Sequence, residues 1–382
     1  MNNSRDFVRN LPHASHGFQS KRGFWARIHI DWQLLLLLII LCSVGLTVLF
    51  SASNQDMATV YRQLTRFGVA FGVMLVFAQI SPHHYRRWSP WLFGLGVMFL
   101  IAVLVMGVGA KGAQRWLELP GLPRFQPSEI MKLALPMALA WYYADHRLPP
   151  RSRHIFYGLI LILLPTLLIA KQPDLGTSLL IAASGFFVLL FAGIQWRLIF
   201  GFGAVSAASV PLLWTFLKDY QKQRILTFLD PERDPLGAGW NIIQSKTAIG
   251  SGGLYGKGWL AGTQSHLDFL PESHTDFIIA VFAEEFGFIG VLLLLGLYLL
   301  IVSRALYIAT QADDTFGRLL AGSITLTFFF YIFVNIGMVS GILPVVGLPL
   351  PLISYGGTSI LTLFAGFGLL MSIQTHKKLL PR

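Results

Sequence analysis

Residues 270–302 read LPESHTDFIIAVFAEEFGFIGVLLLLGLYLLIV. The polar part ends at Asp276, and the apolar run behind it decides the fold. A helix rises about 1.5 Å per residue, so about 20 apolar residues cross the roughly 30 Å of hydrocarbon in a bilayer. The stretch thus sets Glu272, His274 and Asp276 where water gives way to lipid. A polar cap on a helix and chemistry at a membrane surface both account for such a placement.

The rest of the chain repeats the apolar pattern. Of 382 residues, 54% are hydrophobic and only 12% charged, and the mean hydropathy is +0.62. A soluble chain carries about 25% charge. Blocks at 31–51, 64–80, 89–107, 127–144, 155–171, 176–194, 197–217, 276–303, 315–339 and 358–374 predict an all-α integral membrane protein of about ten transmembrane helices. A long extracytoplasmic loop, 218–275, separates spans seven and eight. Spans two and four carry basic residues, Arg66 and Lys132. The expected organisation is a basic cytoplasmic tail over 1–30, one polytopic membrane domain over 31–375 and a short cytoplasmic tail over 376–382. The N-terminal polar stretch is too long for a cleavable signal, so the first helix is expected to be retained.

A net charge of +11 suggests nucleic acid in a soluble protein. Here the basic residues flank apolar blocks, and topology explains them better. Sixteen of the 29 Lys and Arg residues fall on the side of the termini, against seven opposite them outside the long loop. Both termini are therefore expected in the cytoplasm. The single Cys42 excludes a disulfide within the chain and has no activating neighbour.

That topology places LPESHTDFI on the outer face, together with KGAQRWLELPGLPRFQPSE, QPDLGTS and SGILPVVGLPLPLISYGG. Ionisable groups at such boundaries are costly and tend to mark function. Lys111 and Arg115 sit in a Gly-flanked turn where two cations suit a diphosphate, although snorkelling basic residues look the same. Glu129 and Lys132 share a helix face, as a structural bridge or as part of a site. Lys171 and Asp174 flank a Pro turn and read equally well as interfacial anchors. Ser273 or Thr275 is expected to cap the following helix, with Asp276 in its first turn. An Asp there serves either the cap or, desolvated at the lipid boundary, as a general base. Glu284 lies eight residues on, about 12 Å deeper.

Other motifs fail. In SGGLYGKGW, Ser251 and Gly258 replace the first Gly and the Ser/Thr of a phosphate-binding loop. His266, His274 and nearby acids match no metal signature. Gly68 and Gly72 have the spacing of a close helix contact.

Taken together, KGAQRWLELPGLPRFQPSEIMK, QPDLGTS, the run from LDPERDPLGAGW through LPESHTDFIIAVFAEEFG, and NIGMVSGILPVVGLPLPLISYGGTS resemble the SEDS family (shape, elongation, division and sporulation). LPESHTDF and the GTQ run before it favour the elongation branch. The likeness extends from about residue 30 to the end. It implies a peptidoglycan glycosyltransferase polymerising lipid II, with Asp276 as the essential acid. Lys111 and Arg115 match the family's basic pair, and Glu129 and Lys132 its polar pair; Glu272 and His274 flank the acid as substrate-binding candidates. The resemblance also implies a divalent cation, Mg or Mn, a class B penicillin-binding protein as partner and other elongation-complex membrane proteins beside it. A lipid II flippase and a non-catalytic recruiter of the crosslinking enzyme remain alternatives.

Overall fold

A computed structural model describes residues 28–110, 113–118, 124–216, 222, 226–228, 230, 238–263 and 273–376. Ten helices of 17 residues or more coincide with the ten apolar blocks: α1 Trp32–Ala52, α2 Met57–Gln79, α3 Pro82–Met106, α4 Pro127–Ala144, α5 Ser152–Lys171, α6 Leu175–Phe191, α7 Trp196–Phe216, α9 Ile278–Thr310, α10 Thr315–Val339 and α11 Thr358–Thr375. An eleventh, α8 Ala238–Gly252, lies inside the long loop. By length and apolarity, α1, α3, α5, α9, α10 and α11 suffice to cross a membrane, which makes this a multi-pass membrane protein. Of the others, α2 carries Arg62 and Arg66, α4 carries Glu129 and Lys132, and α6 has only 17 residues.

Several helices begin earlier than their apolar blocks. The α2 helix starts seven residues before the apolar block because Asp56 caps it, accepting from the backbone N–H groups of Ala58 and Thr59. Pro82 at the first turn starts α3 in the same way. Hydropathy does not see a polar first turn; capping chemistry does.

The helices bury one large core, with a smaller cluster of Leu180, Tyr331, Val334 and Leu348. The principal packing pairs are α2 with α11, α3 with α4, α9 with α10, and α6 with α10. Further contacts join α1 to α9, α4 to α6 and α10, and α8 to α9. An Arg304 to Asp31 ion pair ties α9 to the start of α1, where Asp31 also accepts from the Leu34 backbone N–H at 2.9 Å. The Gly68 and Gly72 expectation is overturned: a Cβ at either position meets nothing within 4 Å, so no described helix of this chain approaches there.

Two irregular pieces interrupt the bundle. After α3 the chain turns through a hairpin of β1 Val108–Ala110 and β2 Ala113–Trp116, antiparallel with an irregularity between Val108 and Gly109. The second lies in α9, which breaks at Gly287, where φ is 67° and ψ −169°. The SGGLYGKGW segment runs along this break. Phe288 and Ile289 donate to the Gly253 and Leu254 carbonyls at 3.0 and 3.1 Å, and Lys257 and Gly258 donate to those of Glu284 and Glu285 at 3.0 Å. Backbone groups freed by a broken membrane helix need such partners.

Candidate functional site

The site is built where α9 begins. Helix α9 starts at Ile278 with Phe277 as N-cap and no capping side chain, so the capping expectation for Ser273 and Thr275 is overturned. Ser273 instead donates to the Ala52 carbonyl at 3.3 Å. Asp276 therefore lies in a turn just before the helix, half-buried.

What fixes this turn comes from the other side of the bundle. The His274 carbonyl accepts from the Tyr355 N–H at 2.9 Å, the Thr275 carbonyl from the Ser354 hydroxyl at 2.6 Å, and the Asp276 carbonyl from the Asn335 side-chain amide at 2.9 Å. Three successive carbonyls are thus held by α10 and by the segment that leads into α11. Asn335 also donates to the Leu348 carbonyl at 2.7 Å, and the Ser354 hydroxyl accepts from the Leu350 N–H at 2.8 Å. Asn335 and Ser354 are buried, so each bond forms away from water. On the outer side of the same segment, Gln63 donates to the Ser354 carbonyl and Arg66 to that of Gly356, at 3.3 and 2.9 Å.

The Asp276 carboxylate faces the 345–348 loop. A Cβ at Gly347, where φ is +73°, would stand 3.5 Å from Asp276 Oδ2. One residue back, the Val346 carbonyl would be 2.6 Å from a Cβ at Gly176. Glycine at both positions lets the loop lie between Asp276 and the start of α6.

Asp174 caps that helix, accepting from the Thr177 N–H at 3.2 Å. Arg115, on β2, donates to the Pro173 carbonyl at 2.5 Å and stands 3.7 Å from the Asp174 carboxylate, which also accepts from Gln126 at 3.1 Å. Arg115 and Asp174 therefore join one cluster. Lys171 is exposed at the end of α5.

Glu129 and Lys132, on α4, form a buried pair. Lys132 donates to Glu129 at 2.6 Å with both side chains more than nine-tenths buried. Thr362 on α11 donates to the second Glu129 oxygen at 2.7 Å, and the ammonium lies 5.3 Å from the Tyr331 ring centroid on α10. The pair on α4 thus contacts α10 and α11, and Lys132 borders a cavity of about 30 Å³ lined also by Thr327, Tyr331 and Phe328. Tyr331 joins the pair to α10. It also packs with Leu348 and Val334, beneath the loop that Asp276 faces.

Glu284 and Glu285 are placed elsewhere. Glu284 accepts from Lys257 at 2.6 Å and from the Thr263 N–H and hydroxyl at 2.8 and 3.0 Å, and Glu285 accepts from the Ser51 hydroxyl. They anchor the SGGLYGKGW segment and α1 to the break in α9. Lys111 and Glu272 lie outside the described residues. His274 is half-buried, with its ring edge-on to Tyr355 at 6.0 Å between centroids. Residues missed by sequence reasoning are Asn335, Ser354 and Tyr331. Asn335 carried a signal, an amide in the middle of an apolar block, which must find partners when buried.

Comparisons with known proteins agree on the whole chain. The profile of the cell cycle protein family that groups FtsW, RodA and SpoVE matches residues 28–379. Peptidoglycan glycosyltransferase MrdB of Escherichia coli is 53% identical over 364 residues, covering 95% of this chain and 98% of that protein. A probable peptidoglycan glycosyltransferase FtsW of Trichlorobacter lovleyi is 40% identical, covering 92% and 94%. Among solved structures, a chain of a peptidoglycan synthase complex that coordinates polymerization and crosslinking superposes with a TM-score of 0.80 at 33% identity, covering 91% and 99%. Rod shape determining protein RodA of Thermus thermophilus superposes with a TM-score of 0.67 at 30% identity, covering 91% and 98%. A match over nearly the full length places this chain in the SEDS family of FtsW, RodA and SpoVE proteins.

Proposed function

We propose that this chain, a peptidoglycan glycosyltransferase by its family, polymerises lipid II on the outer face of the membrane with Asp276 as general base. The observation that carries the assignment is the clamp on His274, Thr275 and Asp276, which holds a half-buried carboxylate beside the 345–348 loop. A positioned carboxylate is what proton abstraction from a sugar hydroxyl requires.

In this mechanism Asp276 takes the proton from the 4-hydroxyl of the acceptor sugar. The oxygen forms a bond to C1 of the donor sugar while the C1–oxygen bond to undecaprenyl diphosphate breaks. The leaving group carries off the electron pair. Arg115, with Lys111 beside it in sequence, offsets the charge that grows on the diphosphate. Glu272 and His274, flanking the acid, and Glu129 and Lys132, beneath it, complete the substrate pocket in this reading. Both termini lie in the cytoplasm, consistent with the distribution of Lys and Arg. The partner is a class B penicillin-binding protein, a reading supported by the likeness to a complex that couples polymerization to crosslinking. Other elongation-complex membrane proteins assemble around the pair.

Among the described residues no three His, Cys, Asp or Glu side chains gather to hold a metal ion. The Mg or Mn implied by the family has no protein cage there, and no step above depends on it.

The test is polymerisation of lipid II by purified protein. Asp276→Asn is expected to slow it by about 10² to 10⁴ while leaving helical content and partner binding intact. Polymerisation by Asp276→Asn at the normal rate would falsify the assignment.

A further inference from the structure

Arginines are spread unevenly over the face of the bundle where α1, α3, α5 and α10 begin. Arg86, Arg87, Arg147, Arg151 and Arg153 gather at one corner, where α3 begins, α4 ends and α5 begins. The acid in these two loops is Asp145, and Arg86 occupies it. Elsewhere on the face the charges balance: Arg304 pairs with Asp31, and Asp313 and Asp314 precede Arg318. The rule that sets orientation counts basic residues over a whole side and asks for no concentration at one corner. We propose that this corner is a seat for an anionic phospholipid of the surrounding leaflet, held by its phosphate. The proposal goes beyond the polymerase reading and does not depend on it.

Side-chain contacts assemble the corner. Asp145, at the end of α4, pairs with Arg86 on α3. The next residue, His146, lies against His154 of α5 with ring centroids 4.2 Å apart. Tyr143 donates to the His154 carbonyl at 3.0 Å, and the Tyr142 hydroxyl stands 3.0 Å from His154 Nδ1. The starts of α3 and α5 are thus tied to one helix end, with Arg87, Arg147, Arg151 and Arg153 exposed around it. Arg153 lies 5.8 Å from the Tyr157 ring centroid, a contact that leaves its forked N–H donors open to phosphate. Helix chemistry alone argues against arginine here, because the positive end of the dipole favours acids. Helices α1 and α10 follow that preference, with Asp31 and Asp314 as caps. Helices α3 and α5 do not: Ser81 and Arg151 make no side-chain cap, and neither first turn holds an acid. An anion from outside the chain relieves the repulsion at both ends.

Further along these helices the surface suits the rest of a phospholipid. Arg87 and Trp91 are four residues apart on α3, as are Arg153 and Tyr157 on α5, so each arginine stands one turn before an aromatic on its own helix face. Trp91 is 78% exposed and Phe156, beside Tyr157, 62%. Amphipathic rings at this level belong among headgroups. Past them α3 exposes Met98 and Ile101, and α5 exposes Leu163 and Leu167. Helices α3 and α5 pack on each other, so the two apolar stripes are neighbours. Phosphate among the arginines and acyl chains along the stripes use the whole surface. A zwitterionic lipid offers the same chains, but its own cation opposes the arginines.

The experiment titrates the full-length protein in detergent with phosphatidylglycerol or phosphatidylethanolamine of matched chains and counts bound lipid by native mass spectrometry. Wild type is expected to bind phosphatidylglycerol about tenfold or more tightly than phosphatidylethanolamine. Arg87→Gln/Arg151→Gln/Arg153→Gln should lose that preference. Arg197→Gln/Arg318→Gln, which removes exposed arginines from loops outside the corner, should keep it. Ser152→Asp is the further variant, placing a carboxylate in the first turn of α5. It should leave the thermal midpoint in lipid-free detergent no lower, since an acid suits that helix end, yet weaken phosphatidylglycerol about threefold or more. Polymerisation is not read in this assay, so a failure of the Asp276 assignment leaves these affinities unchanged. The proposal is overturned if the two lipids bind wild type alike, if the triple variant keeps the preference, or if the control pair loses it. It is equally overturned if Ser152→Asp binds phosphatidylglycerol as wild type does, or if inorganic phosphate at matched concentration displaces the lipid, which would make the corner a site for free anions.

Discussion

Asp276 is set by residues that carry no charge. Asn335 and Ser354 between them hold two carbonyls of the 274–276 turn, and both also bind the segment that faces the acid. Removing one partner of a buried hydrogen bond leaves the other unsatisfied at about 1 to 3 kcal/mol. Ser354→Ala is expected to lower the thermal midpoint by that order and to reduce the polymerisation rate constant more than it raises the KM for lipid II. A change confined to the midpoint would separate stability from positioning. The Glu129–Lys132 pair gives a sharper contrast. Lys132→Met strands a buried carboxylate and should cost about 3 to 5 kcal/mol, whereas Glu129→Gln/Lys132→Met should recover much of it. Unfolding midpoints of the single and double variants check this directly. Of these residues, the charged ones were legible from sequence, because a charge inside an apolar block stands out. Asn335 and Ser354 were not singled out: a neutral polar residue in a membrane helix or loop acquires its meaning from a partner about 60 to 80 positions away.

At the scale of elements, each described helix of 17 residues or more falls on an apolar block, six of them long and apolar enough to cross a membrane, and the differences are at the ends. Asp56 and Pro82 start helices within polar sequence, where hydropathy has no contrast. The break in α9 was illegible for another reason. Gly287 comes two residues after the Glu284–Glu285 pair with no turn signal around it, and only the approach of the SGGLYGKGW backbone demands its positive φ. A Cβ there would lie 2.3 Å from the Gly256 nitrogen, and one at Gly256 would lie 2.1 Å from the Glu285 carbonyl. Gly287→Ala and Gly256→Ala are therefore expected to lower the unfolding midpoint and the yield of folded protein in detergent. Gly250→Ala, on α8 with nothing within 4 Å, should be neutral or stabilising by about 0.5 to 1 kcal/mol. If all three behaved alike, the close packing at the break would be refuted. The failed phosphate-loop match is explained by the same contact: the glycines of that run admit a neighbouring helix backbone.

For the whole molecule, the orientation proposed from where Lys and Arg fall is open to direct measurement. With Cys42 replaced by Ala, Glu118→Cys near the β hairpin should react with a membrane-impermeant thiol reagent added to intact cells. Asp145→Cys, after α4, should react only once the membrane is opened. Both sites are exposed, and their ion pairs, with Arg124 and Arg86, are surface pairs worth little to stability. Labelling in the reverse sense would put Asp276 on the cytoplasmic side and remove the basis for polymerisation outside.

The two side chains that grip the 274–276 turn stand on different supports, one within α10 and the other at the approach to α11. Such a mounting transmits motion. If α10 tilts while α11 stays fixed, the gap between Asn335 and Ser354 changes, and the strain falls on a turn only three residues long. A neighbour in the bilayer leaning on α10 would thus reach the Asp276 carboxylate by mechanical coupling alone, with no need to touch it.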